Sequence, residues 1–193
     1  MPTPFLLNGI LASQISGHLY AGPTGAFDAL GSVTVGAGGQ SSITFSAIPQ
    51  TYTHLQIRAN YRGTASATAN GTNMNFNSDL GSNYTLHRLI GDGSSASADG
   101  YTGRTGAWFG LEVDASATAN IFAGAVVDIL DYANTNKNKV TRSMGAYDLN
   151  GAGQINFASS AWLNTAAINS ITIYPASSAN FAQYSNFALY GIK

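Results

Sequence analysis

The chain has 193 residues and only 9% Asp, Glu, Lys and Arg, against roughly 25% in average globular proteins, a length that suits one compact domain, or one domain with an arm, and argues against two. The absence of cysteine excludes a disulfide framework, a thiolate metal site and a cysteine nucleophile. A net charge of −1, with the basic residues scattered from Arg58 to Lys193, argues against nucleic acid as a partner, because no patch could neutralise successive phosphates.

Residues 1–27 differ from the rest. Phe5, Leu6, Leu7, Ile10, Leu11 and Ile15 stand among Pro2, Pro4, Gly9, Gly17, Gly22, Pro23 and Gly25. Such a segment gains little unless something covers its apolar side chains, so it is read as an N-terminal extended arm that docks through these six residues on a partner, or lies along its own sandwich. The alternative is an ordinary first strand with a short helix around LASQIS. The segment lacks Lys and Arg, and Asn8 and Gly9 interrupt its apolar stretch, which is unlike a cleaved secretory signal. No run approaches the roughly 20 apolar residues of a membrane-spanning helix, and a membrane is not expected as a partner.

From residue 28 to 193 the chain reads as a single all-β domain of short alternating segments between turn residues. The segments are LGSVTV (30–35), SSITFS (41–46), THLQIRANYR (53–62), TNMNFNS (72–78), NYTLHRLI (83–90), WFGLEV (108–113), IFAGAVVDIL (121–130), KVTRSMGAYDL (139–149), QINFAS (154–159), INSITIYP (168–175) and YSNFALYGI (184–192). Leu55 and Ile57 fall on one face, with His54, Gln56 and Arg58 on the other. IFAGAVVDIL is more continuously apolar, as a strand covered on both faces would be. GAGGQ (36–40), NGT (70–72), GDGSS (91–95), ANTNKNK (133–139) and NGAGQ (150–154) supply the Gly and Asn that tight turns demand. Residues 93–107 read as a long exposed loop.

No catalytic, cofactor-binding or metal-binding residue is expected from the sequence. No GxSxG elbow occurs, and His18, His54 and His87 sit in contexts that suit surface or hydrogen-bonded histidines. Glu112 and Asp114 share a strand face, and Asp128 and Asp131 bracket a strand end. Two such carboxylates could serve glycan hydrolysis, but turn-capping and surface ion pairs are the simpler expectation. GDGSSASAD lacks calcium-loop spacing. No helix follows GAGG or GDG to present its N-terminus to a phosphate. The tyrosines lie mostly at strand ends or on polar faces, suited to subunit contacts or to stacking on sugars.

Four stretches carry a resemblance: SSITFSAIPQTYTHLQIR, MNFNSDLGSNYTLHRLIGDGSS, IFAGAVVDILDYANTNKNKVTRSMGAYD and WLNTAAINSITIYPASSANFAQYSNFALYGIK. Together they resemble a family of tailed-bacteriophage virion structural proteins frequent in marine and freshwater phages, including cyanophages, over roughly residues 27–193. The resemblance implies a place in the virus particle and a jelly-roll-like antiparallel β-sandwich, commonly trimeric. It brings no catalytic residue with it. Together with the arm it leads to the expectation of a capsid decoration or cement protein. Such a protein would form a homotrimer on the capsid surface and contact the major capsid protein or other virion proteins. The alternative is a receptor-binding module of a tail fibre or baseplate that recognises a host-surface glycan.

Overall fold

In the computed structural model the described residues are 25–193, and the arm residues Phe5 to Ile15 lie outside them. The alternating segments form twelve strands: β1 Phe27–Thr34, β2 Ile43–Phe45, β3 His54–Tyr61, β4 Ala69–Phe76, β5 Tyr84–Gly91, β6 Ala96–Arg104, β7 Ala107–Val113, β8 Ala123–Leu130, β9 Lys139–Asp148, β10 Gly153–Trp162, β11 Ile171–Pro175 and β12 Asn186–Ile192. They make an eight-stranded sheet, in the order β1-β12-β3-β8-β9-β10-β5-β6, and a four-stranded sheet, β2-β11-β4-β7, and every neighbouring pair is antiparallel.

This order resolves into two parts. The pairs β1–β12, β2–β11, β3–β8 and β4–β7 form one long antiparallel ribbon, which is rolled so that alternate pairs fall in opposite sheets. That is the topology of a jelly roll. Into it are inserted two hairpins, β5–β6 between β4 and β7 and β9–β10 between β8 and β11, and they meet along β10–β5. The insertions extend the larger sheet beyond β8 by four strands, and this extension has no counterpart of equal width in the smaller sheet.

The period-2 alternation places the core between the sheets. In β3, Leu55, Ile57 and Tyr61 point inward; in β12, Phe187 and Leu189 do so, and in β11, Ile171 and Ile173. Tyr61, Phe109, Phe181 and Phe187 pack ring on ring, with centroids 4.8 Å apart for Phe181–Phe187 and 5.5 Å for Tyr61–Phe109. A second aromatic group, Phe76, Tyr84 and Trp162, joins the roll to the base of the extension, where Asp79 accepts a 2.8 Å hydrogen bond from the Trp162 indole.

β7 sits closer to the large sheet than sheets normally pack. A Cβ on Gly145 of β9 would lie 3.6 Å from the Gly110 Cα, and one on Gly110 would lie 2.6 Å from the Tyr61 hydroxyl. Two glycines therefore let the backbones cross almost in contact, against the usual spacing of about 10 Å. Either side of this crossing, β7 sends Phe109 and Val113 into the main core and Trp108 and Leu111 into a smaller cluster with Leu86 and Ala158 of the extension.

Three sequence expectations are corrected. Residues 93–107 do not form a loop: after a tight turn in which Asp92 accepts bonds from the Ser94 and Ser95 amides, residues 96–104 are strand β6. Asn70 and Gly71 do not turn the chain but lie within β4, and Gly71 is needed because a Cβ there would come within 2.7 Å of the Trp108 ring. β8 is central in its sheet but buried on only one face, and Gly124, Val126, Asp128 and Leu130 face outward. The remaining turns stand as expected, with positive φ at Gly38 and Gly39 and at Asn150 and Gly151.

Candidate interaction surface

The outer face of the large sheet can be read off the register, since residues directly opposite one another share a face. One row runs Leu89–Phe157–Met144–Val126 across β5, β10, β9 and β8, and the adjoining row sets Ile155 beside Ala146. Leu89 and Phe157 are each 57% exposed, Ile155 53% and Met144 52%. Cross-strand neighbours have Cβ atoms roughly 5 Å apart, so these side chains form one continuous apolar stripe. Three shallow concavities are each walled by two of Met144, Ile155 and Phe157. Isolated exposed hydrophobics are unremarkable, but a contiguous row of them makes this face the candidate for an interaction site.

Polar groups border the stripe. Towards β3, Asp128 accepts a 2.8 Å bond from the Gln56 amide and lies 3.6 Å from Arg142. Arg58 covers the rings of Phe27 and Tyr190, at 5.4 and 5.6 Å from their centroids. On the far side is β6, the free edge of the sheet, which is largely exposed on both faces. On the inner side of that hairpin Arg88 lies 4.3 Å over the Trp108 ring and pairs with Asp99. The guanidinium holds the Asp99 carboxyl below the usual carboxylate range.

The residues considered for chemistry are distributed differently from their sequence expectation. Glu112 and Asp114 do share one side, but they are fully buried and belong to no surface ion pair; Asp114 accepts a bond from the Ala65 amide and lies in the field of Arg62. A Cβ on Gly63 would overlap the Asp114 carboxylate and touch that of Glu112, so both acids close over the same backbone atom. Thr72 donates to Glu112 at 3.1 Å and Asn70 to Asp114, while one oxygen of each acid has no partner in the structure. Burial, reinforced by the neighbouring Asp114 charge, pushes the Glu112 carboxyl up to about 8; burial raises Asp114 as well. Asp131 pairs with Lys137 and lies near His54, as surface ion pairing predicts. His87 is exposed above Gly100, and His18 lies outside the described residues. Asp92 and Asp99 each have a partner within the protein, and among the described residues no group of three or more His, Cys, Asp or Glu is placed to hold a metal ion.

No protein-family model, curated protein or solved structure matches the chain. The surface must therefore be judged by its own chemistry. Sequence reasoning did not single out Leu89, Met144, Ile155 or Phe157. The available signal was apolar residues on the outward parity of QINFAS and KVTRSMGAYDL, where Ile155, Phe157 and Met144 alternate with inward Asn156, Ala158, Ser143 and Gly145. The tyrosines divide: Tyr61, Tyr84 and Tyr132 are core, whereas Tyr101 and Tyr184 are exposed.

Proposed function

We propose that the protein is a structural component of a tailed-bacteriophage virion, a decoration or cement protein that forms trimers on the outer surface of the capsid and stabilises the shell. The observation that carries this reading is the apolar stripe on the outer face of the inserted strands. A face of that kind is stable when another protein surface covers it. The charge-poor composition supports the same reading, because a surface with 9% charged residues makes little use of charge to stay separate from its neighbours. The phage-family resemblance supplies the location.

The test is quantitative mass spectrometry of purified particles. Decoration predicts a copy number that scales with the shell, together with release of the protein from the capsid surface before the tail dissociates. A copy number matching a tail ring or fibre would overturn it.

A second reading, a glycan-binding module of a tail fibre or baseplate, is favoured by one observation. Tyr101 is exposed on β6 with its hydroxyl 3.2 Å from Asp99 and the Arg104 guanidinium nearby, an aromatic face bordered by hydrogen-bonding groups of the kind sugars stack on. Fluorescently labelled protein that binds host cells, and loses that binding on Tyr101→Ala, would support this reading over decoration.

A further inference from the structure

We propose that the apolar stripe of one copy is the docking site for residues 5–15 of the N-terminal segment of a second copy. This inference rests on the assembly reading above and names the partner of its surface.

Length, position and composition support it. The described chain begins beside Phe27, on the outer face at the β1 edge of the large sheet, where Phe27 packs against Tyr190. Before it stand residues 1–24, with no Asp, Glu, Lys or Arg and with apolar residues concentrated between Phe5 and Ile15. The stripe is equally uncharged, and it lies near the opposite edge of the same sheet, reached from β6 over Ala98 and Leu89. Donor and acceptor thus sit at opposite ends of one sheet, a head-to-tail arrangement that closes into a ring when the rotation between copies permits.

The same placement selects a second copy over the chain's own segment. To reach its own stripe, the segment would cross about five strand spacings, roughly 24 Å, and would cover Arg58, Asp128 and Arg142 on the way. Stripping water from these charges costs free energy that nothing apolar returns. A neighbour whose β1 edge stands beside this copy's β6 edge meets no such charges. Its residues 16–26 reach up to about 36 Å when extended, enough to bring residues 5–15 over Leu89 and Phe157.

The test uses two full-length variants mixed together. L6D/L7D spoils the donor segment and keeps the stripe, whereas F157D spoils the stripe and keeps the segment. Phe157 is more than half exposed, so its charged variant keeps the fold, and L89D serves as a second stripe variant at an equally exposed position. Sedimentation velocity of each protein alone and of the mixture is the readout. The expected result is an oligomeric wild type, association at least tenfold weaker for either variant alone, and recovery of hetero-association in the mixture through the one intact segment and the one intact stripe. Wild-type association of either variant alone, a monomeric wild type, or no recovery on mixing would overturn the proposal. Decoration is scored separately on particles: segment exchange in a protein missing from the capsid exterior sinks the virion reading and leaves this inference standing.

Discussion

The rolled ribbon and the inserted extension follow the same alternation, yet they treat their two faces differently. In the roll, inward positions such as Leu55, Phe109, Ile173 and Phe187 meet the facing sheet, and outward positions such as Thr44 and Thr172 hydrogen-bond to each other at 3.0 Å. In the extension, β5 and the end of β10 still bury Tyr84, Leu86 and Trp162, but the inward positions of β9 and the middle of β10 are small or polar (Thr141, Ser143, Asn156, Ser160), while the large apolar residues Met144, Ile155, Phe157 and Leu89 point outward. The usual polarity of a half-buried sheet is therefore inverted along β9 and the middle of β10. A folded monomer gains nothing from that inversion, whereas a subunit with a partner gains an interface.

The contrast is tested most severely by truncating one large ring in each part. Phe109→Ala in the roll opens a cavity among Tyr61 and Phe187 and is expected to cost about 3–5 kcal/mol, measured by denaturant unfolding. The matching change in the extension, at Phe157, is expected to cost least of all.

The buried acids of the roll give a pH test of comparable size. Glu112 holds its proton up to about pH 8 in the folded protein, against 4.5 when exposed, so the folded state binds more protons between these values. Its stability contribution is complete below pH 4.5, declines as pH rises, and is lost above about 8. Each pH unit between the two values corresponds to about 1.4 kcal/mol, so the loss across that window amounts to several kcal/mol. Glu112→Gln should flatten the dependence and raise the unfolding midpoint at alkaline pH. An unchanged slope would show that Glu112 ionises freely.

Lys139, at the root of the extension, is buried and its ammonium donates to the carbonyls of Asn134, Lys137 and Thr165 at 2.6–2.9 Å. Lys139→Met leaves those acceptors without a donor and should cost about 3 kcal/mol. Hydrogen exchange should show β9 and β10 opening before β3 and β12. The smallest effect on stability is expected for Phe157→Ser, within about 0.5 kcal/mol for an exposed position, accompanied by weaker self-association in sedimentation. A large stability loss there would mean that the stripe is core after all.

Eleven of the twelve strands were legible in the sequence because each carries a period-2 pattern or an apolar run between Gly and Asn turns. β6 was not, because a strand exposed on both faces has no apolar parity, and ASADGYTGR reads as a loop. Gly71 misled for a different reason: glycine beside asparagine usually marks a turn, but here it makes room for Trp108. The jelly-roll ribbon could not be read from spacing, since pairing of β1 with β12 or β2 with β11 joins residues more than a hundred positions apart. The stripe was written in the parity of Met144, Ile155 and Phe157, but whether an outward face is wet or covered depends on what stands opposite, which a single strand does not encode. The burial of Glu112 and Asp114 was hidden likewise, because it depends on Gly63, beyond the end of β3, and on Asn70 and Thr72 of β4 closing around β7.

The segment after β7 is held by one side chain. The Arg62 guanidinium donates at 2.7–2.9 Å to the backbone carbonyls of Asp114, Ala117, Thr118 and Ile121, gathering four oxygens around a fixed cation much as a bound calcium ion would. Unlike calcium, this charge is part of the chain and cannot be chelated, exchanged or diluted away. The corner it ties should thus tolerate swings in salt and divalent ions that loosen metal-clamped loops.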